Sequence, residues 1–308
     1  MKIIARIYLK LVAVDLRVVI AVLTAIAILT LALTSKAQTI STTPRIVDGM
    51  EISGALDIVL KPVATALTVL AISSVVHAVA TVSAPTITKL YDGTHKIRID
   101  GYSGTELKPC YVFFPGGGFV SQNWSICNTW STIAVSQGFV SCKVGYSTTF
   151  YPTLPAANKG ILDCVNAVKW IKAHASTYHI DTNQIYLAGT SAGGFCALGV
   201  AYQHSVNVAG VLNGWGAILD LGYLANNNTP VYNVSTDIDK IVPVECGTSF
   251  GVQCCGSQAI TNELGLLGIP NEWLVWEGYK HGLLPKDSEY TYRVEHSFYS
   301  ALLFFTTQ

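Results

Sequence analysis

Short apolar runs alternate with amphipathic runs along the chain from about residue 95 onward. The apolar runs predict strands at residues 96–100, 110–114, 139–144, 184–188, 208–212, 231–234 and 272–276. The runs between them predict helices at about 125–137, 155–175, 192–203, 257–266 and 288–305. This alternation is typical of an α/β fold with a mostly parallel central sheet and helices on both faces.

The clearest helix is predicted over residues 155–175. Its apolar positions recur at three- and four-residue spacing, at Ile161, Cys164, Val165, Val168 and Ile171. Such positions form one stripe along a helix, which we expect to face the sheet. Pro155 suits the first turn, where a backbone N–H is not needed.

The N-terminal segment has the layout of a secretory signal peptide. Four basic residues (Lys2, Arg6, Lys10 and Arg17) precede an apolar run at 18–33, and small residues then lead to a cleavage position after Ala37. Residues 1–37 are therefore predicted to be a signal peptide. The alternative is an uncleaved membrane anchor, although the run is somewhat short for a span of about 20 residues.

Residues 38–94 form a poorly defined N-terminal segment, and its apolar stretch at 63–84 carries no formal charge. The stretch is long enough to cross a bilayer, but its Val, Thr and Ala content also suits a packing segment. If both apolar runs span, the domain after them returns to the cytoplasm. We expect an exported protein, or one that associates with the membrane through residues 18–33 and 63–84.

Composition narrows the classes of partner. Half of the 308 residues are apolar and 12% are charged, which is about half the ~25% usual for soluble domains. The 19 basic and 19 acidic residues cancel overall. No dense Lys/Arg stripe is present, so nucleic acid is not an expected partner.

The eight cysteines all follow residue 109, which suits an exported domain with some disulfides. Cys246, Cys254 and Cys255 lie close enough in sequence for a local bridge. No Cys or His spacing is typical of a zinc site, so we predict no metal.

Ser191 lies at the centre of the pentapeptide Gly-Thr-Ser-Ala-Gly, residues 189–193. A predicted strand precedes the motif and a predicted helix follows it. Such a sharp strand-to-helix turn lifts a serine hydroxyl clear of the sheet edge, and flanking glycines make the turn sterically tolerable. We predict that Ser191 is a nucleophile, whereas a glycine-rich connection without chemistry is the alternative.

A second glycine cluster follows the strand at 110–114, in the order Pro-Gly-Gly-Gly-Phe at residues 115–119. Glycines expose backbone N–H groups, which an acyl-transfer site needs for its oxyanion. Read together, the two motifs and the segments at 151–157, 167–171 and 179–185 resemble the hormone-sensitive-lipase-like and feruloyl or acetylxylan esterase (BD-FAE-like) branches of the α/β-hydrolase superfamily. The resemblance covers about residues 95–308, the predicted catalytic domain.

The resemblance implies an α/β-hydrolase fold and an oxyanion hole formed by the N–H groups of Gly117, Gly118 and Ala192. Those families carry His before the three glycines, where this chain has Pro115. This departure puts the orientation of the loop in question, but not the supply of N–H groups.

The resemblance also implies the chain order Ser, then Asp or Glu, then His for the catalytic side chains. Only His281 and His296 follow an acid candidate. We favour His281, which lies in a loop after the last predicted strand, over His296 in a predicted helix. Asp239, four residues before a proline as in the family's Asp-x-x-Val-Pro pattern, is favoured over Asp237 as the acid.

These residues predict a serine ester hydrolase that works through an acyl-enzyme and needs no cofactor. Phe119, Trp124 and Trp215 are candidates to line the substrate pocket, although each also suits the core. Only 47 residues separate Ser191 from Asp239, so any cap is small or absent. This favours short acyl groups or a bulky, accessible substrate such as a polysaccharide carrying acetyl or feruloyl esters.

Two other functions are compatible with parts of this sequence. The first is a catalytically inactive relative that kept the scaffold for binding or as a structural protein, which the altered oxyanion loop suggests. The second is a peptidase, for which the chain lacks the added propeller or large cap.

Overall fold

The computed structural model describes residues 86–308 and a short hairpin near residue 50. The chain divides into two compact units, Met1–Ser83 and Ala84–Gln308. In the first, the antiparallel strands β1 (Ile46–Val47) and β2 (Met50–Glu51) form the hairpin. The predicted signal peptide or anchor and the apolar stretch 63–84 lie outside the described residues.

An eight-stranded sheet forms the centre of the second unit. Its strands are β3 (Thr86–Leu90), β4 (Lys96–Asp100), β5 (Lys108–Phe114), β6 (Val140–Val144), β7 (Ile180–Thr190), β8 (Gly210–Gly214), β9 (Val231–Thr236) and β12 (Asn271–Trp276). The spatial order is β12-β9-β8-β7-β5-β6-β4-β3. In this order the strands from β12 to β6 are parallel to one another. At the other edge β4 is antiparallel to β6, and β3 is antiparallel to β4.

Five helices pack around this sheet, at α1 (Ser125–Ser136), α2 (Leu154–Ala173), α3 (Ala192–Leu198), α4 (Ser257–Leu266) and α5 (Tyr290–Thr306). Helix α2 begins where Thr153 Oγ1 accepts the N–H of Ala156 at 3.2 Å, with a proline in its first turn. Helix α3 continues into a π-helical turn, Gly199–Gln203. The predicted helices are therefore all present, each within a few residues of its expected ends.

Two hydrophobic cores cover the two faces of the sheet, and strand β5 shows why. Its residues Cys110, Val112 and Phe114 pack in one core with α2 and α3, whereas Tyr111 and Phe113 pack in the other with α1 and α5. Successive side chains of a strand point to opposite faces. A strand that is apolar at every position is thus buried on both sides, which confirms the predicted α/β layering.

The structure also contains strands that the sequence pattern did not predict. Strand β3 extends the sheet nine residues N-terminal to the expected domain start at 95, and its edge position leaves most of its side chains exposed. Strands β10 (Cys246–Ser249) and β11 (Val252–Cys255) form an antiparallel hairpin closed by a Cys246–Cys255 disulfide. Short strands of this kind lack the apolar run that predicts a strand.

No separate cap is inserted between Ser191 and Asp239 in the described chain. That interval holds α3 with its π-helical turn, β8, a 3-10 turn at Leu221–Asn226 and β9. Within residues 86–308, no helix combines the length and apolarity that a membrane span requires.

Candidate functional site

Ser191 lies at the turn between β7 and α3, with φ 54° and ψ −122°. This strained conformation is uncommon for a residue with a side chain. A Cβ at Gly189 would overlap the carbonyl of Gly193, and one at Gly193 would overlap that of Phe114. The Ser191 N–H donates to Gly214 O at 2.8 Å. Neighbouring strands and the two glycines thus hold the turn in place.

A chain of hydrogen bonds joins Ser191, His281 and Asp239. Ser191 Oγ and His281 Nε2 are 2.8 Å apart, and His281 Nδ1 and Asp239 Oδ2 are 2.6 Å apart. The three residues follow β7, β12 and β9, whose carboxyl ends meet at one edge of the sheet. Parallel strands place their ligand and catalytic groups at this edge.

Asp239 is fixed by its own local backbone. Its side chain is 2% exposed, and Oδ1 accepts the N–H groups of Ile241 at 2.8 Å and Val242 at 3.0 Å. Three donors therefore hold the carboxylate, and the His281 ring receives a defined orientation from it.

The competing candidates lie elsewhere. Asp237 is exposed and its Oδ1 accepts the N–H of Gly278 at 2.7 Å, so it anchors the loop that carries His281. His296 lies on α5 and stacks on Tyr292, with ring centroids 5.3 Å apart. Neither residue is bonded to the Ser191–His281 pair.

The glycine loop lies beside Ser191, and its backbone is left-handed at Gly117 (φ 128°), Gly118 (φ 62°) and Phe119 (φ 60°). Gly117 O accepts the N–H groups of Val120 and Ser121, which closes a tight turn. In the described residues, the N–H groups of Gly117, Gly118 and Ala192 donate to no protein acceptor. They remain free to bind a ligand oxygen.

Tyr146, which follows strand β6, supports this loop. Its hydroxyl donates to Pro115 O at 2.6 Å, and its own carbonyl accepts the side-chain amide of Gln122 at 2.6 Å. Burial raises the pKa of Tyr146 well above its usual value, so the hydroxyl stays protonated and can donate. No motif predicts Tyr146, whose only signal in the sequence is its position two residues after the end of β6.

Two cavities of different size meet at Ser191. The narrow one, of about 30 Å³, is lined by Gly118, Ala192 and the apolar side chains of Phe119, Phe195, Val242 and Val252. The wide one, of about 560 Å³, contains His281, Trp215 and the outer residues of the glycine loop. The hairpin tip residue Phe250 borders both.

The three aromatic candidates have different locations. Phe119 borders the narrow cavity, although it is 6% exposed and packs edge-on against Phe195. Trp215 borders the wide cavity and packs on Trp130 with centroids 6.2 Å apart. Trp124 borders neither and faces a third cavity.

One cluster has donor atoms of the kind that bind metals. Asp92, His95 and Asp163 bring ligand atoms within 4.8 Å of one another. However, His95 Nδ1 is bonded to Asp92 Oδ2 at 2.6 Å, and Lys159 pairs with Asp163. These side chains satisfy each other and tie the turn after β3 to α2.

Comparisons with known proteins agree with this architecture. The BD-FAE family model matches residues 101–215. MGS-M1, an α/β hydrolase enzyme from a Medee basin deep-sea metagenome library, superposes with a TM-score of 0.57 at 19% identity over 72% of this chain and 98% of its own. No curated protein sequence matches the chain.

A thermophilic esterase from the Planctomycetes species Thermogutta terrifontis, Est2, is also similar. Its propionate-bound structure has a TM-score of 0.57 at 17% identity, covering 72% of this chain and 94% of its own. The same esterase phosphorylated by paraoxon has a TM-score of 0.58 at 17% identity, covering 73% and 95%. These likenesses show that the chain has the α/β-hydrolase fold.

Proposed function

We propose that this chain, which has the α/β-hydrolase fold, is a serine hydrolase of carboxylic esters with Ser191 as its nucleophile. The observation that carries the proposal is the hydrogen-bonded chain from Ser191 through His281 to Asp239 beside a loop of free N–H groups. The family match and the similar esterases support the same chemistry. A protein that only bound ligands would not need all of these parts at one place.

The mechanism follows from the positions of the atoms. His281 Nε2 takes the proton of Ser191 Oγ as that oxygen attacks the ester carbonyl, and Asp239 stabilises the imidazolium without accepting the proton. The N–H groups of Gly117, Gly118 and Ala192 receive the oxyanion. His281 then protonates the departing alcohol, and a water molecule activated by His281 releases the acid.

The two cavities indicate which half of the ester each receives. His281 protonates the leaving alcohol, so the alcohol must leave on the side that contains His281, which is the wide cavity. The acyl group then points into the narrow cavity beside Gly118 and Ala192. About 30 Å³ of space suits an acetyl or similarly short acyl group.

This assignment favours short acyl esters of bulky alcohols, including acetylated polysaccharides. A feruloyl group is too large for the narrow cavity and would have to lie in the wide one. In residues 86–308 no separate cap covers this edge of the sheet, which is compatible with a polymer whose chain extends beyond the site.

The protein is also proposed to be exported or anchored at a membrane by its N-terminal segment. The basic and apolar order of residues 1–37 supports this. The Cys246–Cys255 disulfide supports it further, because such bonds persist in oxidising compartments.

The test is hydrolysis of p-nitrophenyl acetate by the full chain. Ser191→Ala should reduce kcat by at least about 10⁴-fold, and paraoxon should phosphorylate the wild-type protein but not this variant. Ser103→Ala, which removes an exposed serine hydroxyl, is the matched control and should keep full activity. Equal rates for wild type and Ser191→Ala would favour the non-catalytic alternative.

A further inference from the structure

A third cavity, of about 530 Å³, lies next to the glycine loop and is not used by the proposed reaction. The segment 121–128 lines it with Gln122, Trp124 and Asn128, and lines the wide cavity at Ser191 with Ser121, Asn123 and Ser125. The two cavities therefore share one wall. The volume of the third cavity lies within the ~300–1,000 Å³ typical of small-molecule sites.

The floor of this cavity is strongly basic. Arg98 on β4 and Lys143 on β6 are direct partners across the antiparallel ladder, although like charges in such positions repel. Lys96 lies two residues before Arg98 and lines the same cavity. No Asp or Glu is among the cavity-lining residues of the described chain.

One carboxylate offsets part of this charge. Asp100 accepts from Arg98 Nε at 3.2 Å and lies 3.5 Å from Lys143 Nζ. Three cations and one anion leave a net charge of +2 at the floor. Burial lowers the pKa of Lys143, and the charge of Arg98 adds to this against the opposing effect of Asp100. A bound anion would relieve the repulsion between these cations.

The remaining lining residues indicate which kind of molecule would bear the anionic group. Trp124 lines the cavity and is partly buried against the second core. Aromatic rings have a negative face, on which the C–H groups of a sugar ring can pack. Gln122 Nε2 already donates to Tyr146 O, and Asn128 Oδ1 already accepts from Lys143 Nζ at 3.1 Å. Gln122 Oε1 and Asn128 Nδ2 are left to bind hydroxyl groups around that ring. A free phosphate would use the cations but not this aromatic and amide wall.

We propose that this cavity binds a carboxylate-bearing sugar residue, with the carboxylate between Lys96, Arg98 and Lys143 and the sugar ring against Trp124. Binding does not depend on the hydrolysis proposed for Ser191, so either proposal can fail alone. If both hold, the shared wall at 121–128 would allow one acidic polysaccharide to occupy both cavities.

The test is calorimetric titration of the full-length Ser191→Ala chain with trigalacturonic acid, with neutral xylotriose as the second ligand. We expect saturable binding of trigalacturonic acid that weakens with added salt, and binding of xylotriose at least tenfold weaker. The double variant Lys96→Gln/Arg98→Gln should lose at least tenfold in affinity for the acidic sugar. Both side chains lie at exposed positions, so thermal unfolding should be unchanged.

Lys89→Gln is the matched control, because Lys89 is exposed on the neighbouring strand but points to the other face. It should bind trigalacturonic acid like the parent chain. The single variant Arg98→Gln, with a several-fold loss, serves if the double variant unfolds. Unchanged affinity in these Arg98 variants, equal binding of xylotriose, or binding of inorganic phosphate without binding of the sugar acid would each overturn the proposal.

Discussion

Tyr146→Phe should reduce turnover although Tyr146 is placed to support the loop rather than to touch the substrate. The side chain is 1% exposed, and its hydroxyl donates to Pro115 O at 2.6 Å. In the described chain no other donor reaches this buried carbonyl. The substitution removes one oxygen atom and leaves the ring packing against Phe119 in place.

The magnitude follows from the unsatisfied carbonyl. Leaving a buried acceptor without its partner costs about 1–3 kcal/mol, and part of this cost is relieved if the loop shifts. Loss of about 1.4 kcal/mol of transition-state stabilisation lowers the rate tenfold. Complete loss of one oxyanion donor lowers kcat about 10²–10³-fold. We therefore expect kcat to fall about 10- to 100-fold with KM little changed, because the loop binds the oxyanion more than the ground state.

The assay is steady-state hydrolysis of p-nitrophenyl acetate, together with thermal unfolding. Tyr202→Phe is the control, since Tyr202 is equally buried and donates its hydroxyl to Thr229 O, away from the site. Both variants should lower Tm by about 2–4 °C for each kcal/mol lost, but only Tyr146→Phe should lower kcat. If the two variants showed the same kcat, Tyr146 would have no role in positioning the oxyanion loop.

Four further substitutions test the site. Asp239→Asn should lower kcat about 10⁴-fold. Asp237→Asn, which only weakens the hydrogen bond to the His281 loop, should lower kcat less than about tenfold. Pre-steady-state acylation rates measure both effects, and a larger loss in Asp237→Asn than in Asp239→Asn would exchange the roles of the two aspartates. Phe250→Ala opens the narrow cavity at the exposed tip of the hairpin. The rate of hexanoate ester hydrolysis relative to acetate ester hydrolysis should therefore rise above its wild-type value. An unchanged ratio would place the acyl group elsewhere. Gly193→Ala should yield little folded protein in solubility and unfolding assays, because its Cβ would overlap Phe114 O; a stable, active variant would show that the turn tolerates a side chain.

Most of the fold could be predicted because its information is local. A run such as β5, apolar at nearly every position, predicts a strand buried on both faces, and the stripe along α2 predicts a helix packed on the sheet. Strand β3 escaped prediction because an exposed edge strand needs no apolar alternation. The π-helical end of α3 also has no distinct sequence pattern.

The candidate site divides in the same way. Ser191 could be proposed from sequence because its strand, turn and helix are contiguous and its glycines meet a steric need. The resemblance to the Asp-x-x-Val-Pro pattern favours Asp239 over Asp237, but the residues alone do not show which of the two carboxylates reaches His281. The structure directs Asp239 to His281 and Asp237 to the backbone of Gly278.

By itself, the sequence determined the succession of the main strands and helices along the chain, the sharp turn at Ser191 and the loop of glycines, because each depends on neighbouring residues. Only the tertiary structure decided what supports the glycine loop, since Tyr146 and Pro115 are 31 residues apart and meet where two strand ends adjoin. It also decided that Trp124 faces a separate cavity with Arg98 and Lys143. Contacts between distant segments depend on how strands are ordered in the sheet, and no local pattern specifies that order.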